Sequence, residues 1–196
     1  VTLLAQFMTA HAAPPGRPTT AIKLANFVVF QLAWFAAVIG AARGAPLLGI
    51  ASVAVAIGWH LMVSERALPE ACLVILAMAL GLAIETLQLS AGTIVYASSV
   101  PHAVLAPAWI VSLWGLFAMA LNVTLRWLRH RGWLAALLGA VCGPLSFASG
   151  VRMGAARFVE TRPALLILAL AWAIALPLLV WLSIRFDGVA PEALQR

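Results

Sequence analysis

The stretch "AWIVSLWGLFAMALNVTLRWLRHRGWLAALLGAVCGPLSFASGV", Ala108 to Val151, holds two apolar runs parted by Arg129-His130-Arg131-Gly132. Each run approaches the roughly 20 mostly apolar residues that a helix needs to cross a bilayer core. So short a break allows only a tight reversal, which predicts two antiparallel neighbouring helices. Neither run alternates apolar and polar residues with period two, so a β-barrel is not indicated.

Four more runs of the same kind lie outside this pair. The predicted spans are residues 22–42, 46–63, 70–89, 108–128, 133–151 and 164–184. Arg43-Gly44, then Ser64-Glu65-Arg66 with Pro69, punctuate the first three. The composition agrees: 64% of the 196 residues are hydrophobic, 9% are charged and the mean hydropathy is +1.05. Soluble domains carry about 25% charged residues. The charges here are too few to cover a water-facing surface, which excludes a soluble enzyme or a basic nucleic-acid-binding domain. The predicted fold is all-α, a polytopic transmembrane six-helix bundle forming one domain over residues 22–186. A flexible tail, residues 1–21 with Pro14-Pro15-Gly16, precedes it, and a C-terminal tail, residues 187–196, follows. The first run exceeds the 7–15-residue core of a signal peptide and is read as a retained helix. Cys72 and Cys142 both fall in spans without CxxC spacing, so neither a disulfide framework nor a metal site is expected.

Six spans put both termini on one side. That side collects Arg17, Lys23, Arg66, Arg126, Arg129, Arg131, Arg185 and Arg196, against Arg43, Arg152, Arg157 and Arg162 on the other. The excess of basic residues predicts cytoplasmic termini.

The fifth span carries Gly139, Gly143, Ser146, Gly150 and Gly154, which stay within about 80° of one another at 100° per residue. Small residues let helices approach closely in lipid, so this seam is read as helix packing. Pro144 should kink the span. Arg152 ends it, either snorkelling to the headgroups or pairing inside the bundle. Its candidate partner is Glu85, which alone among six acidic residues lies well within an apolar run. An ionisable residue at such depth is a functional candidate by default. Gln88 shares its face, so Glu85, Gln88, Arg152 and Arg157 form a candidate polar site in the outer leaflet. The plainer reading of Glu85 is a structural ion pair or a hydrogen-bonded acid. A second polar layer, Asn26, His60 and Asn122, falls at one depth near the other face and is read as interhelical hydrogen bonding. His60 lacks a second in-span histidine, so haem is not expected. The uncharged loop of residues 90–107 reads either as a surface loop or as a re-entrant lid bringing Tyr96, Ser98, Ser99 and His102 near the site.

The stretches "KLANFVVFQLAWFAAVIGAARG", "APAWIVSLWGLFAMALNVTLRWL" and "GPLSFASGVRMGA" resemble an uncharacterised family of bacterial inner-membrane proteins, a domain of unknown function. The resemblance covers nearly the whole chain after Ile22. It implies genes near cyclopropane-fatty-acid-synthase-like and flavin amine-oxidase-like genes, and so a link to membrane fatty acids or envelope stress. It carries over no catalytic residues.

Three functions stay open: an accessory or enzyme component in acyl-lipid modification, a small transporter or flippase using Glu85, and a scaffold without chemistry. Membrane lipids are the expected partners, beside membrane proteins or a second copy, with no nucleic acid. No cofactor is expected: a retinal protein needs a mid-membrane lysine, and the sole lysine is Lys23.

Overall fold

Proline, glycine and polar caps set where the helices begin and end. The computed structural model describes residues 18–97 and 104–189. Most of the predicted tails, together with Ser98, Ser99 and His102, lie outside the described residues. Helix α1 (Thr20–Ala42) starts where the Thr19 hydroxyl accepts from the Ile22 amide. It stops at Arg43-Gly44, where Gly44 has φ +74°. Pro46 opens α2 (Pro46–Val63), and α3 (Ala67–Ser90) follows. Strand β1 (Ile94–Tyr96) precedes α4 (Ala108–Leu121), and a 3-10 turn covers Arg126–Leu128. Helix α5 (Gly132–Arg152), strand β2 (Ala156–Phe158) and α6 (Thr161–Arg185) are the last elements among the described residues. The tight reversal before α5 holds His130 in the left-handed region, φ 63°.

The result is an all-α bundle whose α1, α2, α3, α5 and α6 are long and apolar enough to cross a membrane. The protein is therefore a multi-pass membrane protein. The fourth predicted span needs correction. Its helix ends at Leu121 rather than running to residue 128. At 1.5 Å per residue it spans about 21 Å, short of a bilayer core of about 30 Å. Eleven of its fourteen residues are buried. It packs against α1, α2, α3 and α6, so it is the central post of the bundle. A helix apolar all round belongs in such a place. The chain turns after Leu121 because Asn122, Arg126 and Arg129 are drawn into polar contacts with the end of α6.

The five other helices present apolar faces outward: Leu47, Val55 and Trp133 are more than 70% exposed. The 90–107 loop is partly ordered. Strand β1 pairs antiparallel with β2, in the register Ile94 to Phe158 and Tyr96 to Ala156. This pair joins the α3–α4 and α5–α6 connections at one end of the bundle, here the Tyr96 end. Asp187, which follows α6, marks the opposite end.

Candidate functional site

Helix α1 packs on α2 and α4, whereas α5 packs on α6. A groove of about 850 Å³ lies between the two sets. Phe30, Gln31 and Trp34 of α1 form one wall and Cys142, Ser146 and Gly150 of α5 the other. Trp114 and Phe117 of α4 and Trp172 of α6 make the floor. The indoles of Trp114 and Trp172 stack at 4.6 Å, and Phe117 meets Trp172 edge-on at 5.4 Å. The groove runs from Trp127 at the Asp187 end to Arg152 at the Tyr96 end.

The small residues of α5 shape it. A Cβ on Gly139 would collide with the Trp172 carbonyl, and one on Gly143 with the Trp172 ring. Those two positions bring α5 onto α6, as the packing seam requires. The rest of the seam does something else. A Cβ on Gly150 would meet nothing, and Ser146 and Gly150 face the groove. Gly154 has left the helix and holds φ +87° in the turn that follows. The seam read from the sequence thus packs at one half and leaves open space at the other.

Glu85 is fully buried behind the groove floor. Its Oε1 accepts from Trp114 Nε1 at 2.9 Å. Its Oε2 accepts from the Tyr96 hydroxyl and from Gln88 Nε2, the latter at 3.2 Å. Burial and the adjacent Glu85 push the Tyr96 phenol up, so it stays a donor. Gly81 makes the Trp114 position available, since a Cβ there would fall inside that ring. The structure therefore brings Glu85 and Gln88 together and adds Tyr96 and Trp114. It does not bring the arginines to them. Arg152 is exposed at the groove mouth, and Arg157 is exposed on β2 opposite Val95. Among the described residues no ion pair joins either arginine to Glu85. The reason is positional: Arg152 closes α5 on the far side of the groove, while Glu85 faces α4 and β1.

A second cluster gathers at the Asp187 end. Glu70, fully buried, meets His60 Nε2 at 2.9 Å. Its Oε1 accepts from Asn122 Nδ2 and from the Gly188 amide, both at 2.7 Å. Arg129 donates to Asn122 Oδ1 at 2.6 Å and to Asp187 Oδ2 at 2.9 Å. Arg126 meets the same Asp187 oxygen at 2.8 Å. Asn26 stands apart, donating to the Met119 carbonyl at 3.1 Å and accepting from the Thr124 hydroxyl at 2.7 Å. His60 and Asn122 of the predicted polar layer thus share Glu70, while Asn26 serves the turn after α4. Sequence reasoning missed Glu70, Asp187, Arg126 and Arg129 as members, because each sits at a span end or in a loop. No group of three His, Cys, Asp or Glu side chains suited to a metal occurs among the described residues.

Residues 23–178 match the family described as "Protein of unknown function (DUF2878)". No curated protein and no solved structure matches.

Proposed function

We propose a function from one premise: the chain belongs to the DUF2878 family of unknown function and is a multi-pass membrane protein. The family assigns no reaction, so the reading rests on the groove. The protein holds a chain of a membrane lipid between α1 and α5, entering sideways from the bilayer. The observation that carries this is the aromatic-lined cavity of about 850 Å³ between two helices that face lipid. Ligand sites usually enclose about 300–1,000 Å³ with mostly apolar walls and a few placed polar groups. Gln31 and Ser146 supply those polar groups here.

In this reading the protein is an accessory or enzyme component acting on acyl lipids in a bacterial inner membrane. The uneven split of basic residues supports placing the Asp187 end in the cytoplasm and the Arg152 end outside. Less supports a proton-coupled transporter, because Glu85 is enclosed by Tyr96, Trp114 and Gln88.

Filling the groove tests the binding. Gly150→Phe and Ser146→Phe place a ring in its open space. Wild-type protein extracted in mild detergent should retain about one lipid per chain by native mass spectrometry, and both variants should lose it. Equal lipid content in well-folded variants would remove the groove as the site. Comparing total lipid extracts of cells with and without the gene tests the chemistry. A missing or accumulated acyl species, restored by wild type and not by Gly150→Phe, is the expected result. Identical extracts would exclude acyl modification.

A further inference from the structure

We infer that the groove selects a phospholipid of net negative charge, with its phosphate on Arg152 and one chain running toward Trp127; this rests on the lipid-binding reading above. The two ends of the groove differ in the charge they offer. At the Trp127 end no basic side chain among the described residues lines the groove, and Arg126 and Arg129 beside it both bind Asp187. At the other end Arg152 lines the groove, is exposed, and makes no ion pair among the described residues. A guanidinium is suited to a phosphate, offering several donors in one plane.

The surroundings add a field of one sign. Arg43, Arg157 and Arg162 are exposed at the same end, against Glu160 as the exposed acid among the described residues there. Glu85 is close in depth but fully buried and occupied by three donors. The amino end of α4, carrying Trp109 and Ile110 into the groove, adds the positive end of a helix dipole. A zwitterionic headgroup also carries a phosphate, but its ammonium would sit among these cations. A headgroup without that ammonium avoids the repulsion, which is the basis of the selection. The length fits as well. From Leu138 to Arg152 the α5 wall rises about 21 Å at 1.5 Å per residue. One leaflet of the core is about 15 Å deep, half of its usual thickness. A single chain hanging from Arg152 therefore stays within the groove.

The test uses delipidated full-length protein in detergent, titrated with phosphatidylglycerol or phosphatidylcholine of identical acyl chains. Native mass spectrometry counts the first bound lipid. Wild type should prefer phosphatidylglycerol about tenfold, the order expected when one like-charge contact near the protein surface is avoided. Arg152→Gln should bring the two lipids within about threefold of each other while leaving a bound chain. Arg131→Gln, exposed at the opposite end and outside the groove lining, should keep the preference. Equal binding of both lipids by wild type would overturn the inference and leave the groove reading standing. An unchanged preference in Arg152→Gln, or an equal loss in Arg131→Gln, would overturn the assignment to Arg152. If neither lipid binds wild type, the groove reading itself fails and the inference with it.

Discussion

Arg129 shows what a charge needs in order to stay inside this bundle. It is 9% exposed and meets Asp187, Asn122 and the Ser183 carbonyl. Losing Arg129 removes three charge-assisted or buried contacts, although Arg126 stays on the same Asp187 oxygen, so the cost is about 1.5–3 kcal/mol rather than that of a fully unpaired buried charge. Arg129→Ala should therefore lower the thermal midpoint in detergent sharply. Arg131→Ala, at an exposed position in the same loop, should shift stability by less than about 0.5 kcal/mol. Equal effects would show that the cluster does not hold that end together. Glu85 was legible from the sequence, because an acid far inside an apolar run has little choice but a polar partner. Two of its partners were legible in part, Gln88 on its own face and Tyr96 in the lid reading of the 90–107 loop, whereas Trp114 was not, because nothing in an apolar span marks which indole will meet a carboxyl group. Glu70 and Asp187 carried a fainter signal. With six acidic residues in the whole chain, one in the first turn of a span and one just past the last span were candidates for pairing.

Helix α2 contains its own control for the packing argument. A Cβ on Gly49 would fall against the Ala37 backbone of α1, whereas one on Gly58 would meet nothing within 4 Å. Overpacking a close helix contact costs about 1–3 kcal/mol. A helical glycine in open space is itself about 0.5–1 kcal/mol worse than alanine. Gly49→Ala should thus lower the unfolding midpoint and Gly58→Ala should leave or raise it. The same sign for both would refute close approach at α1–α2. Span limits were readable where proline, glycine or arginine interrupts apolar sequence, and α2 matches residue for residue. The α4 boundary was not, because "LNVTLRWL" keeps its hydropathy while its backbone turns. Hydropathy reports what a segment dissolves in. It is silent about which side chains a distant helix end requires.

The bundle as a whole has two chemically different ends. At the Asp187 end a buried cluster closes on itself beneath exposed Lys23, Arg131 and Arg185, while at the Tyr96 end Arg43, Arg152, Arg157 and Arg162 stand exposed and Arg152 lines the groove. The proposed orientation can be read directly. In a background with Cys72 and Cys142 replaced by alanine, Arg43→Cys should react with a membrane-impermeant maleimide in intact spheroplasts. Glu65→Cys, exposed on the opposite end, should react only after permeabilisation. The reverse pattern would invert the topology and move the groove mouth to the cytoplasm.

Because Glu70 waits for the Gly188 amide and Arg129 for Asp187, the cluster joins residues made early to residues made late. Synthesis proceeds from the N-terminus, so α3 enters the membrane when Glu70 has His60 to meet but neither Asn122 nor Gly188. A chain cut before Asp187 leaves Arg129 without its carboxylate and Glu70 one donor short, though His60 and Asn122 still reach Glu70 and Asn122 still reaches Arg129. The turn after α6 thus closes a cluster that the earlier helices leave half made. Loss of that turn should loosen the bundle at the Asp187 end first.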